Sequence, residues 1–298
     1  MRLWLTLITL SNCGRIRFDV PTPLPCTTID FTPLTPLAID AGARKVVLAD
    51  LNGDDWLDAI ATSAESTTMS VSFGNGHGGF GPAEIYATGV HPWALAVGEI
   101  RSNRLDIAVG NFDDNSIRLF ANDGSGRFTD HADIMTLPGP EYVAARDLDR
   151  DGNVDLLVTN NGADSISVFT AGPSGFSRAD YAVGVRPYAL AVTDFDRDSR
   201  LDVVVANAGA GTVSVLLGGG DGSLRPQVVY ASGPTPTSMA WHVTVADVDR
   251  DGVDDVITAN NYSSSALGVL HGRGDGTFDG PQGSSPAHIT RGGSRPRT

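Results

Sequence analysis

A short aspartate-rich pattern recurs along the chain and constrains the fold more than any other feature. The pattern is Asp-x-Asp/Asn-x-Asp-x-x-x-Asp, and an apolar run follows each copy. Four intact copies occupy Asp50–Asp58, Asp147–Asp155, Asp194–Asp202 and Asp247–Asp255. A fifth copy, Glu99–Asp106, is one residue shorter and has lost most of its acids. Because self-similarity at a fixed period marks repeat architectures, five similar units are predicted.

Glycine-rich turns that end in an apolar residue keep the same period. Their last residues follow one another at 48-residue steps, except for a final step of 54, and are Phe80, Phe128, Phe176, Leu224 and Phe278. A third landmark, Gly-x-x-Pro, begins two of the units, at 89–92 and 184–187. Three landmarks that stay in phase over five copies establish a true repeat.

Each unit contains four β-strand candidates separated by turn residues. In the fourth unit they are Ala189–Thr193, Leu201–Ala206, Thr212–Leu217 and Pro226–Ala231. The second run alternates weakly between apolar and polar residues, as expected for a strand covered on both faces. Four-stranded units at this period are typical of propeller blades, which bury their faces only against neighbouring blades. The predicted fold is an all-β propeller with five complete blades, at about 43–88, 89–137, 139–183, 184–232 and 233–282.

These landmarks resemble the FG-GAP/VCBS repeat family, whose propeller is also the architecture of integrin α-subunit heads. The resemblance covers roughly residues 31–290, and the aspartate loops, the turn at 80–82 and the Gly-x-x-Pro starts carry it. The segment 31–40 precedes the first aspartate loop much as 80–87 precedes the second, so we expect it to be an N-terminal outer strand that closes the ring. We expect the five blades to be a truncated form of a propeller with six or seven blades.

The aspartate loops are predicted to bind calcium. Ca²⁺ prefers about six to eight oxygen ligands, which closely spaced carboxylates supply, and Gly152 at the sixth loop position permits the positive φ of a tight loop. Aspartate-rich turns satisfied by backbone N–H groups alone are the alternative. About four structural Ca²⁺ sites are expected. The candidate ligands are Asp50, Asn52, Asp54, Asp58, Asp147, Asp149, Asp151, Asp155, Asp194, Asp196, Asp198, Asp202, Asp247, Asp249, Asp251 and Asp255.

The net charge agrees with cation binding. The formal charge is −14, and 15 of the 35 acids are candidate ligands in the four intact loops. Four Ca²⁺ ions would add +8 and bring the charge from −14 to −6. Binding of nucleic acid needs clustered Lys and Arg that contact the phosphates. The acidic charge of this chain therefore excludes nucleic acid as a partner.

The N-terminus is predicted to direct export. Arg2 is followed by an apolar stretch that ends in Leu-Ser-Asn-Cys-Gly at 10–14, which resembles a bacterial lipoprotein signal with Cys13 as the lipidated residue. Residues 1–13 are therefore expected to be a signal segment and 14–30 a proline-containing linker. The protein is expected to be an outer-membrane or cell-surface lipoprotein or a secreted protein, with membrane contact only through this anchor.

The last eight residues, 291–298, break the repeat as an atypical tail. A further blade begins at 285–290, and the earlier copies predict an aspartate loop next. A GC-rich stretch coding Ala-Asp-x-Asp-Arg-Asp, read one base out of register, yields Gly-Gly-x-Arg-Pro-Arg, which matches this tail. One hypothesis is therefore a frameshift or premature end, and a natural basic tail is the alternative.

The motifs favour binding over catalysis. The chain contains no His-Glu-x-x-His, Cys-x-x-Cys or Gly-x-Ser-x-Gly motif, and its six histidines are scattered. No catalytic or organic-cofactor residue is predicted. The leading interpretation is a non-catalytic, calcium-stabilised scaffold that binds a protein or carbohydrate ligand at the cell surface. The alternatives are the propeller domain of a secreted lyase or hydrolase, and a frameshifted fragment of a larger FG-GAP protein.

Aromatic residues recur near the start of the blades. They are Trp93, Tyr142, Tyr188 and Trp241. They can line one face of the ring, where aromatic rings stack on sugars or on a partner, or they can pack between blades.

Overall fold

A computed structural model describes residues 42–101, 103–130, 133–233, 238–261, 267–280 and 282–284. In these residues all regular structure is β-strand, and 21 strands form five antiparallel sheets in chain order. The all-β, blade-like architecture predicted from the repeat is therefore confirmed. The predicted closing strand, signal segment, linker, Cys13 and basic tail lie outside the described residues. No helix capable of crossing a bilayer occurs in the described part of the chain.

Each sheet is one blade, numbered here in chain order. Blade 1 contains β1 (Ala43–Ala49), β2 (Asp58–Ser63), β3 (Thr68–Ser72) and β4 (Glu84–Ala87). Blade 2 contains β5 (Pro92–Gly98), β6 (Asp106–Asn111), β7 (Ser116–Asn122), β8 (Phe128–Asp130) and the short β9 (Ile134–Met135), which also pairs with β7. Blade 3 contains β10 (Pro140–Arg146), β11 (Asp155–Asn160), β12 (Ser165–Gly172) and β13 (Gly175–Ala182). Blade 4 contains β14 (Pro187–Thr193), β15 (Asp202–Asn207), β16 (Thr212–Leu216) and β17 (Val228–Ala231). Blade 5 contains β18 (Met239–Ala246), β19 (Asp255–Asn261), β20 (Leu267–Leu270) and β21 (Gln282–Ser284).

The second strand of a blade is the most buried. The strands β2, β6, β11 and β15 are buried along their whole length. Each pairs with the first and third strands of its own sheet. The side chains of β6, β11 and β15 enter apolar clusters on both faces of their sheets, and Ile60 of β2 enters the cluster shared with blade 2. This position explains why the second run of the fourth unit shows only weak alternation of apolar and polar residues.

The apolar core lies between blades and not inside them. One cluster joins each consecutive pair of blades, and the cluster between blades 1 and 2 includes Ile60, Val71, Leu95 and Phe120. The corresponding clusters join blades 2 and 3, blades 3 and 4, and blades 4 and 5. Burying one such side chain contributes about 1.5–3 kcal/mol. A blade therefore depends on its neighbours for most of its stability.

In blades 1 to 4 the second residue of the aspartate loop anchors that loop to the next blade. In the first four loops this residue is apolar and at most 5% exposed: Leu51, Ile100, Leu148 and Phe195. Phe195 of blade 4 contacts Phe278 of blade 5 edge to face, with ring centroids 5.0 Å apart. Phe278 ends a glycine-rich turn, so two landmarks of the repeat meet across the blade interface. In blade 5 the equivalent residue, Val248, is 48% exposed.

The first strands of successive blades pack side by side, in the order β1, β5, β10, β14, β18. Each has an irregularity at the same place, where one residue near the strand start is skipped in the pairing with the second strand. A β-bulge of this kind turns a side chain away from its regular direction. The five skipped residues, called the axial residues below, are Arg44, Trp93, Glu141, Tyr188 and Trp241. The opposite end of each first strand leads into the aspartate loop, ~17 Å away for a strand of this length.

Candidate metal sites and the axial residues

Each aspartate loop joins the first and second strands of its blade and curls around its own carboxylates. In blade 3, the Asp147 carboxylate accepts hydrogen bonds from the backbone N–H of Arg150 (2.7 Å) and of Gly152 (3.1 Å). Gly152 has a φ of 88°, so the positive φ predicted for it is confirmed. Arg150, at the fourth position, also has a positive φ of 64°, which the sequence pattern did not indicate.

The loop of blade 4 keeps this conformation although it lacks a glycine. Ser199 takes the sixth position with a φ of 70° and donates its backbone N–H to Asp194 at 2.8 Å. Arg197, at the fourth position, has a φ of 60°. Serine in place of glycine at the sixth position therefore leaves the loop geometry intact. The positive φ of Ser199 is unfavourable for a residue with a Cβ, so this exchange has a local conformational cost.

Three carboxylates meet in the loops of blades 3, 4 and 5. In each group one oxygen of every acid lies within 4.8 Å of the others. The groups are Asp147, Asp149 and Asp155; Asp194, Asp196 and Asp202; and Asp247, Asp249 and Asp251. Calcium–oxygen distances are about 2.3–2.6 Å, so oxygens bound to one ion are separated by at most ~5 Å. These clusters have the size of a metal site.

The other predicted ligands are less well gathered. Among the described residues, Asp50, Asp54 and Asp58 of blade 1 form no such group. Asn52 lies beside them and donates its amide N–H to Asp54 at 3.0 Å. Asp151 and Asp198, at the fifth position of their loops, lie outside the groups of three. The loops of blades 3, 4 and 5 are therefore the best-formed candidates.

The third-position acids of the loops in blades 3 and 4 carry a free-energy cost of ionisation when no cation is present. Burial raises the pKa of Asp149, and the neighbouring Asp151 and Asp147 carboxylates raise it further. Burial and the carboxylates of its own loop raise the pKa of Asp196 in the same way. A bound cation would remove this repulsion and supply the solvation that burial takes away.

The ninth-position aspartate ties three strands of its blade together. Asp155 is fully buried, and its Oδ2 and Oδ1 accept the backbone N–H of Leu148 (2.9 Å) and Ala171 (2.8 Å). The degenerate loop of blade 2 keeps the same arrangement, because Asp106 accepts the backbone N–H of Arg101 and Asn122, each at 2.9 Å. This residue therefore has a structural role that does not require a metal. Each carboxylate oxygen has two lone pairs, so the two roles are compatible.

Blade 5 adds an imidazole to its acids. Nδ1 of His271 lies 3.4 Å from Asp249 Oδ2 and 3.5 Å from Asp255 Oδ1, and these residues form a further group of three potential ligands. The Nδ1 atom is buried and has no hydrogen-bond partner among the described residues. Imidazole together with carboxylates suits zinc and similar ions better than calcium. His271 lies outside the aspartate pattern because it follows the third strand of its blade and not the loop.

The degenerate loop of blade 2 lines a cavity instead of an acid cluster. Glu99, Arg101 and Asn103 face Asn153 and Phe176 of blade 3 across a volume of about 290 Å³. Pockets for small molecules typically measure about 300–1,000 Å³, so this cavity is at the lower limit of that range.

The axial residues converge although they come from five different blades. Arg44 forms an ion pair with Glu141 and donates to the Tyr188 hydroxyl at 2.7 Å. Its guanidinium carbon lies 4.1 Å from the ring centroid of Trp93. The rings of Tyr188 and Trp241 are 4.8 Å apart and tilted by 43°. Burial raises the pKa of Glu141, against the lowering effect of Arg44.

A second layer lies next to the axial residues, one position further along the first strands. Nζ of Lys45 lies 4.3 Å from the ring centroid of Tyr142, and burial lowers the pKa of Lys45. Tyr142 also packs against the apolar clusters on both sides of blade 4. Of the four aromatic residues expected near the blade starts, three therefore converge at the bulges, whereas Tyr142 packs between blades.

The model of the FG-GAP-like repeat family matches three overlapping segments, residues 101–158, 147–205 and 194–258. Together they span 101–258, which is more than half of the 298 residues. The chain belongs to the FG-GAP repeat family. The matched region runs from the degenerate loop of blade 2 to the second strand of blade 5. No curated protein sequence matches the chain.

Solved structures share the propeller fold of this chain at low sequence identity. A lectin from Agrocybe aegerita, which recognises non-reducing terminal N-acetylglucosamine, is 20% identical over 80% of this chain with a TM-score of 0.53. This chain spans 65% of the length of that lectin. A protein from Lactobacillus plantarum is 18% identical over 80% of this chain and 70% of its own, with a TM-score of 0.57. A functionally unknown protein from Desulfotomaculum acetoxidans is 14% identical over 81% of this chain and 71% of its own, with a TM-score of 0.54.

Proposed function

We propose that this FG-GAP protein is an exported, non-catalytic propeller scaffold that calcium stabilises and that binds carbohydrate or protein. The observation that carries the proposal is that three carboxylates converge in the aspartate loop of each of three successive blades. An acid cluster that recurs with the structural repeat is typical of a cation that serves the fold of each unit. Exported calcium modules bind with dissociation constants of ~10⁻⁴ to 10⁻³ M, which suits extracellular calcium.

The position of the loops favours a stabilising role for the ion. The glycine-rich turns of blades 2, 4 and 5 lie against the aspartate loop of the blade before them. Gly222 of blade 4, for example, lies against Asp149 of blade 3. A cation that orders the loop of blade 3 would therefore also order its interface with blade 4.

Calcium stabilisation is tested by thermal unfolding in Ca²⁺ and in excess chelator, with Mg²⁺ as a control. Binding to the native state alone stabilises by about 2.7 kcal/mol per site when calcium is present at 100 times its dissociation constant. We expect Tm to fall on chelation, and Asp147→Asn to lose part of this dependence. Glu84→Gln, which changes an exposed acid on β4, should keep all of it. A Tm that is unchanged by chelator would rule out structural calcium.

Carbohydrate is the ligand class to test first. The fold is shared with a lectin that recognises non-reducing terminal N-acetylglucosamine, and three aromatic side chains of this chain converge at one end of the blades. The assay is a glycan array that includes N-acetylglucosamine-terminated saccharides, with a parallel pull-down from cell-surface proteins. A calcium-loaded protein that binds neither class would contradict the scaffold function.

Export and lipidation are part of the same proposal. The N-terminal segment that ends at Cys13 supports them. Expression in a bacterial host with an alkyne-labelled fatty acid should label the wild-type protein in the envelope fraction, and Cys13→Ala should abolish the label. Equal labelling of both proteins would reject Cys13 as the lipidated residue.

A further inference from the structure

We propose that the five axial residues form a saccharide-binding site at the end of the blades opposite the aspartate loops. This inference rests on the proposed binding function and assigns it a place and a ligand chemistry. The site consists of Arg44, Glu141 and Tyr188 as polar groups, of Trp241 as an exposed aromatic wall and of Trp93 as the ring that supports Arg44.

The first argument is the variation at a repeated position. A bulge places one side chain per blade at the same point, and the packing demands there are similar in every blade. Elsewhere in the repeat, equivalent positions with similar packing carry the same residue type, as the aspartate that ends each of the five loops does. At the bulge the five residues are instead a guanidinium, a carboxylate, a phenol and two indoles. They complement one another as a single set.

The second argument is that the polar groups are held in place before any ligand arrives. The Arg44 guanidinium is fixed by the Glu141 carboxylate, the Tyr188 hydroxyl and the Trp93 ring. The Glu141 side chain is only 3% exposed, so it has few alternative positions. Groups that are already ordered lose little conformational entropy when a ligand binds.

The third argument is that part of the set remains open to solvent. Trp241 is 38% exposed, and the Arg44 side chain is 28% exposed. The indole N–H of Trp93 is buried and has no hydrogen-bond partner among the described residues. An exposed indole beside ordered charged groups combines an apolar surface with directional donors and acceptors, as small-molecule sites do.

These groups select a neutral, hydroxyl-rich ligand. A cation would compete with Arg44, which already covers the Trp93 ring. An anion would meet the buried carboxylate of Glu141. A sugar ring can place its C–H face on Trp241, while its hydroxyls accept from Arg44 and bond to the half-buried Tyr188 hydroxyl. Glu141 holds Arg44 in position for this contact. A saccharide therefore matches both the exposed indole and the ordered polar groups.

The test uses the full chain in calcium, first on a glycan array and then by calorimetry with the saccharide that binds best. We expect Trp241→Ala and Glu141→Gln each to weaken binding by about 10-fold or more, and Trp241→Phe to retain most of it. The matched control is Trp56→Ala, since Trp56 is a 49% exposed indole in the aspartate loop of blade 1, at the other end of the blades. Trp56→Ala should bind within two-fold of wild type.

Three different results would overturn the proposal. If saccharide binds Trp241→Ala and Glu141→Gln as tightly as wild type, the site lies elsewhere and the scaffold function stands. If no saccharide binds while the pull-down captures a protein, carbohydrate is the wrong ligand class. Thermal unfolding of each variant separates binding loss from unfolding. Trp241→Phe with native stability but without affinity also contradicts the proposal, because a phenyl ring keeps the stacking surface.

Discussion

The ninth-position aspartate allows the structural and metal-binding roles of an aspartate loop to be separated by mutation. Asp106 of blade 2 keeps both of its backbone hydrogen bonds in a loop whose one other acid is Glu99. Asp155 of blade 3 makes the equivalent bonds and also belongs to a group of three carboxylates. We therefore predict that Asp106→Asn destabilises the protein equally with and without calcium, whereas Asp155→Asn costs more stability when calcium is present.

The magnitude follows from the hydrogen bonds. Asp106 is 1% exposed, and its two oxygens each accept one backbone N–H at 2.9 Å. Asparagine keeps one acceptor and turns an NH₂ group toward the other donor, so one buried N–H loses its partner. Such a loss costs about 1–3 kcal/mol. For a domain of this size about 2 kcal/mol lowers Tm by roughly 4–8 °C.

Asp155→Asn should cost the same ~2 kcal/mol in chelator. In calcium at 100 times the dissociation constant, loss of the blade 3 site removes up to ~2.7 kcal/mol more. The difference between the two conditions is therefore near zero for Asp106→Asn and between ~1 and 3 kcal/mol for Asp155→Asn.

The assay is thermal unfolding of wild type and both variants by circular dichroism, in Ca²⁺ and in chelator. Stability differences are taken at one temperature within the transition region. If the Asp106→Asn variant has the same Tm as the wild-type protein, the structural role of this aspartate is refuted. An equal loss for Asp155→Asn in both conditions would refute its role as a calcium ligand.

Three further predictions concern the glycine-rich turns, the pH dependence of calcium binding and the candidate metal site of blade 5. Gly126→Ala should lower the free energy of unfolding by more than ~1 kcal/mol, because its φ is 81° and an added Cβ would clash with the Phe73 ring. Gly175→Ala is the control: its φ is 105°, but the space around it is open, so it should lower the free energy of unfolding by less. Calcium affinity measured by calorimetry should fall as pH is lowered, beginning above the ordinary aspartate range, because burial raises the pKa of Asp155 and protons then compete with the ion. In chelator the pH dependence has the opposite sign. Because the pKa of Asp155 is higher in the native state, this carboxyl contributes most to the free energy of unfolding at low pH and loses that contribution as pH rises through the raised value. A chelated protein whose free energy of unfolding increases with pH over this range would contradict the prediction. His271→Phe should weaken binding of Co²⁺ or Zn²⁺ about 10-fold or more while leaving Ca²⁺ affinity nearly unchanged, which metal titrations can measure.

Local chemistry explains why so much of the fold was predictable. The strands of blade 4 begin and end within two residues of the runs predicted for the fourth unit. The conformation of an aspartate loop depends on side chains that bond to backbone groups two to five residues away, as Asp147 does with Arg150 and Gly152. Such contacts are encoded in a short stretch of chain, so repetition of the motif is enough to reveal repetition of the structure.

The candidate metal sites were only partly accessible to this reasoning. The pattern predicted the acids, and three loops bring three of them together. The pattern did not show that the ninth aspartate also bonds to the third strand, as Asp155 does with Ala171, 16 residues away. Nor did it indicate His271, because the residue that follows the third strand approaches the loop only after the sheet has formed.

The sequence by itself therefore determined the number, order and strand content of the blades, since each depends on contacts within one repeat. Only the tertiary structure decided that the axial residues, one near the start of each blade, contact one another. Arg44 and Glu141 are 97 residues apart, and Arg44 and Tyr188 are 144 residues apart. They meet because the first strands pack side by side with a bulge at the same register. That convergence depends on the packing of whole blades, and no local pattern of residues records it.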